Sequence, residues 1–373
     1  MKFPEAMRLF CSGLIVFVPL AGAQIKSSSP AQIDHPVYTL AFKARAAVPE
    51  LKASYFSPPI LCSSDGTAYY GVPEPPTYRE RTIHQLDLQE PRSFPYREVE
   101  GLYDARFTAF FPGEAELFVL VNAAQDSPQA RDDALKQIGP VGSGAKERHD
   151  FLLKFDKSGK YLIRIQLPDE LSFHRFAVLE DGSFVALAVD RGTTRVRLPQ
   201  LNSDGKIVRY LALPSALESG GSQPGRRISK EGDAARAEVR INKWFFVPVR
   251  HKALLFAADI NQVLEIGPDG LRREVDIMIP KGYFFDGVLS SNDRWLFLVP
   301  RQVEWEPGKV GGGLMSSDYT LYEVDFNDGK FIRELKGTPT PGLGIACERD
   351  GVFTGFSVGR DSKYVLWTAE LPR

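Results

Sequence analysis

A pair of short strands joined by a turn of Asp, Asn, Gly and Lys recurs along the chain, and this repeat limits the fold more than any other feature. Four copies align: FLLKFDKSGKYLIRIQLP at 151–168, VRLPQLNSDGKIVRYLALP at 196–214, QVLEIGPDGLRREVDIMIP at 262–280 and LYEVDFNDGKFIRELKG at 321–337. A fifth copy, IHQLDLQEPRSFPYREVEG at 83–101, is weaker. The turn residues tolerate positive φ, as a tight antiparallel hairpin requires. On either side the apolar residues alternate with a period of two, and almost no stretch sustains a period of 3.6, so the chain reads as nearly all β.

A second kind of hairpin precedes each copy: PILCSSDGTAYYGV at 59–72, FTAFFPGEAELFVLV at 107–121, FAVLEDGSFVALAVD at 176–190, FFVPVRHKALLFAAD at 245–259 and GVLSSNDRWLFLVP at 287–300. Two hairpins make one four-stranded sheet. A sixth first hairpin, GIACERDGVFTGFSV at 344–358, is followed by the single strand KYVLWTAEL at 363–371, after which the chain ends. The strand missing there is available in HPVYTLAF at 35–42, which has no partner of its own. A ring in which an N-terminal strand completes the last sheet leaves no open seam. The expected fold is therefore a six-bladed β-propeller of four-stranded antiparallel blades, closed by residues 35–42 and occupying 35–371 as one domain.

Ahead of that domain, Lys2 and Arg8 lead into an apolar stretch from Leu9 to Leu20 and then the small residues Ala21-Gly22-Ala23. This is the anatomy of a secretory signal peptide over 1–23, with 24–34 as a linker and Met7 as an alternative start. Cys11 precedes the expected cut, so it does not become a lipidated N-terminus. The apolar stretch falls short of the roughly 20 residues that span a bilayer, so no membrane insertion is expected after cleavage and the destination is periplasmic or extracellular. With 46 basic against 47 acidic residues, the chain has no global field to attract nucleic acid.

The run ALLFAADINQVLEIGPDG at 253–270 resembles an NHL-repeat blade, with Ala258-Asp259, Asn261, Val263 and the closing Asp269-Gly270. FVALAVDRGTTRVRLPQLNSDGK at 184–206 repeats the scheme through Asp190 and Asp204-Gly205. The resemblance implies a propeller with a central channel. It implies no single activity, because propellers of this group include binding scaffolds, lactonase-like hydrolases and lyases.

Loop length says where function is expected. The insertions 73–82, 122–150 and 301–318 join second to third strands, and 215–243 joins one blade to the next, so all four leave the same end of the ring. Two of them, 122–150 and 215–243, are also rich enough in Gly, Ser, Ala and charge to be read as disordered decoration. Near the starts of the innermost strands Asp104, Arg106, His174, Arg175, Asn242, Lys243 and Asp286 are expected to face the channel mouth. Trp305, in the 301–318 insertion, either offers a platform to a partner or packs on its own loop.

The basic members of this set suit a small anionic ligand, a glycan or a protein partner's carboxylate, since Arg binds such groups through two parallel hydrogen bonds. In the lactonase-like alternative, Asp104, Asn242 and Asp286 would hold calcium, which prefers six to eight oxygens. Arg106, Arg175 and Lys243 beside them oppose a divalent cation, so no cofactor is expected in the leading reading, a binding or interaction scaffold. The five histidines show no metal-ligand spacing; His174 alone is placed where a general base would be useful, but with no nucleophile or carboxylate partner in the pattern it reads more readily as a simple polar contact.

After signal removal two cysteines remain, each preceding an Asp-Gly turn by the same interval: CSSDG at 62–66 and CERDG at 347–351. They occupy equivalent inner-strand positions in the first and last blades, which become neighbours when the ring closes. Two readings stand at this point: a Cys62–Cys347 disulfide across the seam, or two buried thiols.

Overall fold

The computed structural model describes residues 36–371 apart from 53–59, 64–65, 74–80, 86–91, 126–147, 215–240, 242–243, 250–251, 258–259, 278–286, 292–293, 301–318, 326–327, 338–343 and 359–362. The expected signal peptide, Asn242, Lys243, Asp286 and Trp305 lie outside the described residues.

Six antiparallel sheets follow one another around a ring. Blade 1 comprises Ile60–Cys62, Ala68–Pro73, Arg81–Gln85 and Arg92–Ser93. Blade 2 comprises Leu102–Pro112, Glu116–Gln125, Arg148–Asp156 and Tyr161–Gln166. Blade 3 comprises Leu171–Val178, Phe184–Asp190, a third strand split into Val196–Arg197 and Pro199–Leu201, and Ile207–Tyr210. Blade 4 comprises Trp244–Val249, Lys252–Ala257, Gln262–Gly267 and Gly270–Asp276. Blade 5 comprises Gly287–Ser291, Arg294–Pro300, Tyr319–Val324 and Phe331–Gly337; blade 6 begins with Gly344–Arg349, Val352–Val358 and Lys363–Glu370. The six-bladed propeller read from the repeats is the fold.

Two boundaries differ from expectation. An N-terminal strand does complete blade 6, but it is Lys43–Lys52, antiparallel to Lys363–Glu370, and not 35–42. Val37–Leu40 instead pairs in parallel with Phe331–Gly337 as a fifth strand of blade 5. The closing strand escaped notice because KARAAVPELK lacks alternation and contains Pro49. Its register slips between Val48 and Lys52, and an outer strand is where a missing N–H is tolerated. The insertion expected at 122–150 is also shorter, since the second strand of blade 2 runs to Gln125 and the third begins at Arg148.

Apolar positions of each blade pack face to face with the next. One core spans blades 2, 3 and 4 through residues such as Leu120, Leu152, Phe184, Leu187, Trp244 and Leu255, all nearly inaccessible. Phe118 of blade 2 meets Phe184 of blade 3 edge-on at 5.6 Å, and Phe94 of blade 1 meets Phe155 of blade 2 at 6.0 Å. Each such ring contributes about 1.5–3 kcal/mol by leaving water. Further cores join blades 1 to 2, 4 to 5 and 5 to 6.

The recurring turns join neighbouring blades as well as strands. Asp156 Oδ1 accepts from the N–H groups of Ser158 and Lys160 and from the Ser158 hydroxyl. Asn202 Oδ1 takes the same place in blade 3, accepting from the N–H groups of Asp204 and Lys206. The turn glycines Gly159 and Gly205 have φ of +88° and +80°. Each lies against the outer strand of the preceding blade, where a Cβ on Gly159 would stand 2.7 Å from the Ser93 carbonyl and one on Gly205 2.8 Å from that of Gln166. At blade 4 the connection is made by side chains: Arg209 of blade 3 donates to the Asp269 carbonyl at 2.6 Å, and Gln200 to that of Pro268 at 2.7 Å.

At the seam, Cys62 of blade 1 is bonded to Cys347 of blade 6, with Cα atoms 5.7 Å apart, inside the range a disulfide spans. Among the described residues no helix is long and apolar enough to cross a membrane.

Candidate functional site

Because strands alternate in direction, second-to-third strand connections and blade-to-blade connections share one end of the ring. At that end blades 2 and 3 build a continuous polar rim. It starts in the innermost strand of blade 2, where the register slips between Tyr103 and Arg106 and Asp104 adopts a φ of +47°. This bulge turns two charged side chains outward, leaving Asp104 58 % and Arg106 56 % exposed, and Arg106 donates to Asp104 Oδ2 at 3.0 Å.

Arg148 fixes the rim. Its guanidinium donates to Asp104 Oδ2 at 2.6 Å and to the Asp104 carbonyl at 2.7 Å. It also donates to Asn122 Oδ1 and the Asn122 carbonyl, both at 2.6 Å. Asn122 in turn donates to Asp150 Oδ1 at 2.8 Å. Asp150 is buried and crosses to blade 3, accepting the Phe173 N–H at 3.1 Å and lying 3.6 Å from Arg191. Arg191 is held by its Nε on the Leu171 carbonyl at 3.0 Å. Beside this chain His149 Nδ1 lies 2.6 Å from Asp169 Oδ1, with the imidazole ring edge-on to Phe151.

Of the residues singled out from sequence, Asp104 and Arg106 are therefore brought together. His174 and Arg175 lie further along the ring, in the innermost strand of blade 3, where the register slips between Phe173 and Arg175. His174 occupies that bulge and is partly exposed. Arg175 places its guanidinium over the Phe245 ring of blade 4, 5.3 Å from the centroid. Its Nε is buried and has no hydrogen-bond acceptor among the described residues, and burial pulls the guanidinium below its ordinary pKa.

Sequence reasoning missed Arg148, Asn122, Asp150, Arg191 and the His149–Asp169 pair. The first three fell inside the segment read as an insertion, because polar residues pairing across a sheet interrupt the apolar alternation by which strands are recognised. The only available signal was the RHD sequence directly ahead of FLLKF.

Among the described residues no group of three or more His, Cys, Asp or Glu side chains is placed to hold a metal ion. The Asp104 carboxylate expected in a calcium site is engaged by two arginines. Asn242 and Asp286, its expected companions, lie outside the described residues.

No protein-family model and no curated protein matches the chain. Several solved structures are similar to the chain at low identity. Regucalcin, a calcium-binding protein from Agrobacterium tumefaciens, is 12% identical, with 90% of this chain and 97% of that one covered and a TM-score of 0.42. Virginiamycin B lyase from Staphylococcus aureus is 9% identical, with 88% and 100% covered and a TM-score of 0.37. A xyloglucanase from Xanthomonas campestris is 12% identical, with 88% and 45% covered and a TM-score of 0.41.

Proposed function

We propose that this propeller is an exported binding scaffold that holds an anionic small molecule, an acidic glycan or a protein partner's carboxylate on the end of the ring carrying the long connections. The observation behind this reading is the Arg148-anchored rim. Four hydrogen bonds from one guanidinium fix Asp104 and Asn122, while Arg106 keeps most of its donors toward solvent. A charged group already fixed in place loses little entropy when it meets a ligand, so an anchored rim is a better recognition surface than free surface charges. Export is supported by the Cys62–Cys347 bond, since disulfides persist in oxidising compartments.

The test is a binding screen of the purified chain against arrays of acidic glycans and carboxylate-terminated peptides, repeated with Arg106→Ala. Arg106 is exposed and outside the core, so its removal leaves the fold intact. A ligand whose affinity falls about tenfold or more in the variant supports the reading, a loss typical of one charge-assisted contact. The same ligand bound equally by both proteins would refute a role for the rim.

The second reading is a hydrolase or lyase, and one observation favours it: the His149–Asp169 pair stands at the same end, with a carboxylate orienting the imidazole as a general base requires. Turnover of lactone or ester substrates that is abolished by His149→Gln would establish it over the scaffold.

A further inference from the structure

Arg175 presents a physical problem that the ring does not solve by itself. A guanidinium stays charged under all ordinary conditions, and burying it without a counter-charge is costly unless its donors are satisfied. Here Nε is fully enclosed with no acceptor, and among the described residues no carboxylate lies within ion-pairing distance of the group. Among the described residues its favourable contact is the face of Phe245.

The position of that ring places the guanidinium. Phe245 packs with the core between blades 4 and 5, whereas Arg175 starts from blade 3. Arg175 and Phe245 both belong to the innermost strands of their blades, and innermost strands line the channel of a propeller. With one guanidinium face covered by Phe245, the donors left open lie along its edge. Nε is enclosed and Arg175 is only partly exposed, so the donors within a ligand's reach are its two Nη groups, whose parallel N–H bonds match the two oxygens of a carboxylate.

We propose that Arg175 and Phe245 form a carboxylate-binding site at the channel, taking a monocarboxylate with an apolar or aromatic body. The single positive charge balances one carboxylate, and the half-buried Phe245 supplies an apolar wall beside it. The site stands apart from the Arg106 rim, so its failure leaves that reading untouched, and the reverse also holds.

The experiment uses equilibrium urea unfolding of the full chain with its disulfide intact. Sodium benzoate and sodium hexanoate are the probes, with benzamide and sodium sulfate at matched ionic strength as controls. At ten times its dissociation constant a carboxylate lowers the apparent unfolding equilibrium constant about elevenfold. The expected result is this response to both carboxylates and to neither control, and its loss in Arg175→Met. The variant's unfolding midpoint without probe should lie above that of the parent chain, because an uncompensated buried charge has been replaced by an apolar side chain of similar length.

A response to sulfate as large as that to benzoate would overturn the carboxylate assignment. Absence of any carboxylate response, or its survival in Arg175→Met, would overturn the site. A midpoint lowered by the substitution would show that the guanidinium has an internal counter-charge, which also overturns it.

Discussion

Replacing Asp150 by Ala should be among the most damaging single changes to the described part of the ring. The carboxylate is 5% exposed and joins blade 2 to blade 3 through the Phe173 N–H at 3.1 Å, while the Asn122 amide binds it at 2.8 Å. Hydrogen bonds to a charged group contribute about 1.5–3 kcal/mol each, so losing two costs about 3–6 kcal/mol. Arg191, 3.6 Å away and 46% exposed, adds less than about 1 kcal/mol because water screens it. Asp150→Asn keeps an acceptor for the Phe173 N–H and should recover about half of the loss. Urea unfolding monitored by tryptophan fluorescence, with m-values checked for constancy, measures both variants. An Ala variant within about 1 kcal/mol of the parent, below even one such bond, would refute the claim that Asp150 joins the blades. An Asn variant no better than Ala would refute the assigned role of the Phe173 bond. A double-mutant cycle with Asn122→Ala should return a coupling of about 1 kcal/mol or more.

Three further outcomes follow from the turns and the seam. Gly205→Ala puts a side chain at a φ of +80° and 2.8 Å from the Gln166 carbonyl, and should lower stability by about 1–3 kcal/mol in the same denaturation assay. The hydrogen bond from the Ser158 hydroxyl leads the causes that hold Asp156 below its ordinary pKa, so its contribution is full above the unfolded-state value near 4 and is lost as pH falls through the lower folded value. Asp156→Asn, which copies Asn202 of the next blade, should keep the turn and flatten that acid limb in a pH series of melting temperatures. Replacing both Cys62 and Cys347 by Ser opens a loop closed across 285 positions of sequence and should cost up to about 5–6 kcal/mol on the chain-entropy account, read from the shift in urea midpoint.

The sequence carries the blades clearly because each turn does two local jobs. Asp156 or Asn202 binds the backbone that follows it, and Gly159 or Gly205 takes the positive φ, so the pattern of residues and the geometry coincide. The equivalence of CSSDG and CERDG followed from the same repetition, and the structure bonds the two cysteines. What the pattern conceals is pairing governed by the backbone alone. Lys43–Lys52 has no alternation, and only the free edge of Lys363–Glu370 makes it a strand. Val37–Leu40 has the apolar character expected of a strand, but parallel addition to blade 5 leaves no local trace. The rim was half legible: Asp104 and Arg106 stand at the start of an innermost strand, where ring geometry points to the mouth. Arg148 is distant in sequence and joins them only because the second and third strands of blade 2 bring Asn122 opposite Asp150.

The bond between Cys62 and Cys347 also changes what kind of polymer this is. Covalently, the oxidised chain is a macrocycle with two tails, because Lys43–Lys52 lies before the first cysteine and Lys363–Glu370 after the second. Those tails are hydrogen-bonded to each other along the outer part of blade 6. Peeling Lys43–Lys52 away therefore exposes the edge of Lys363–Glu370 but leaves the inner circle of blades shut, whereas in the reduced chain the same event removes a non-covalent latch. Compartment redox state thus decides whether fraying of a tail is a local opening or the first step of unrolling the ring.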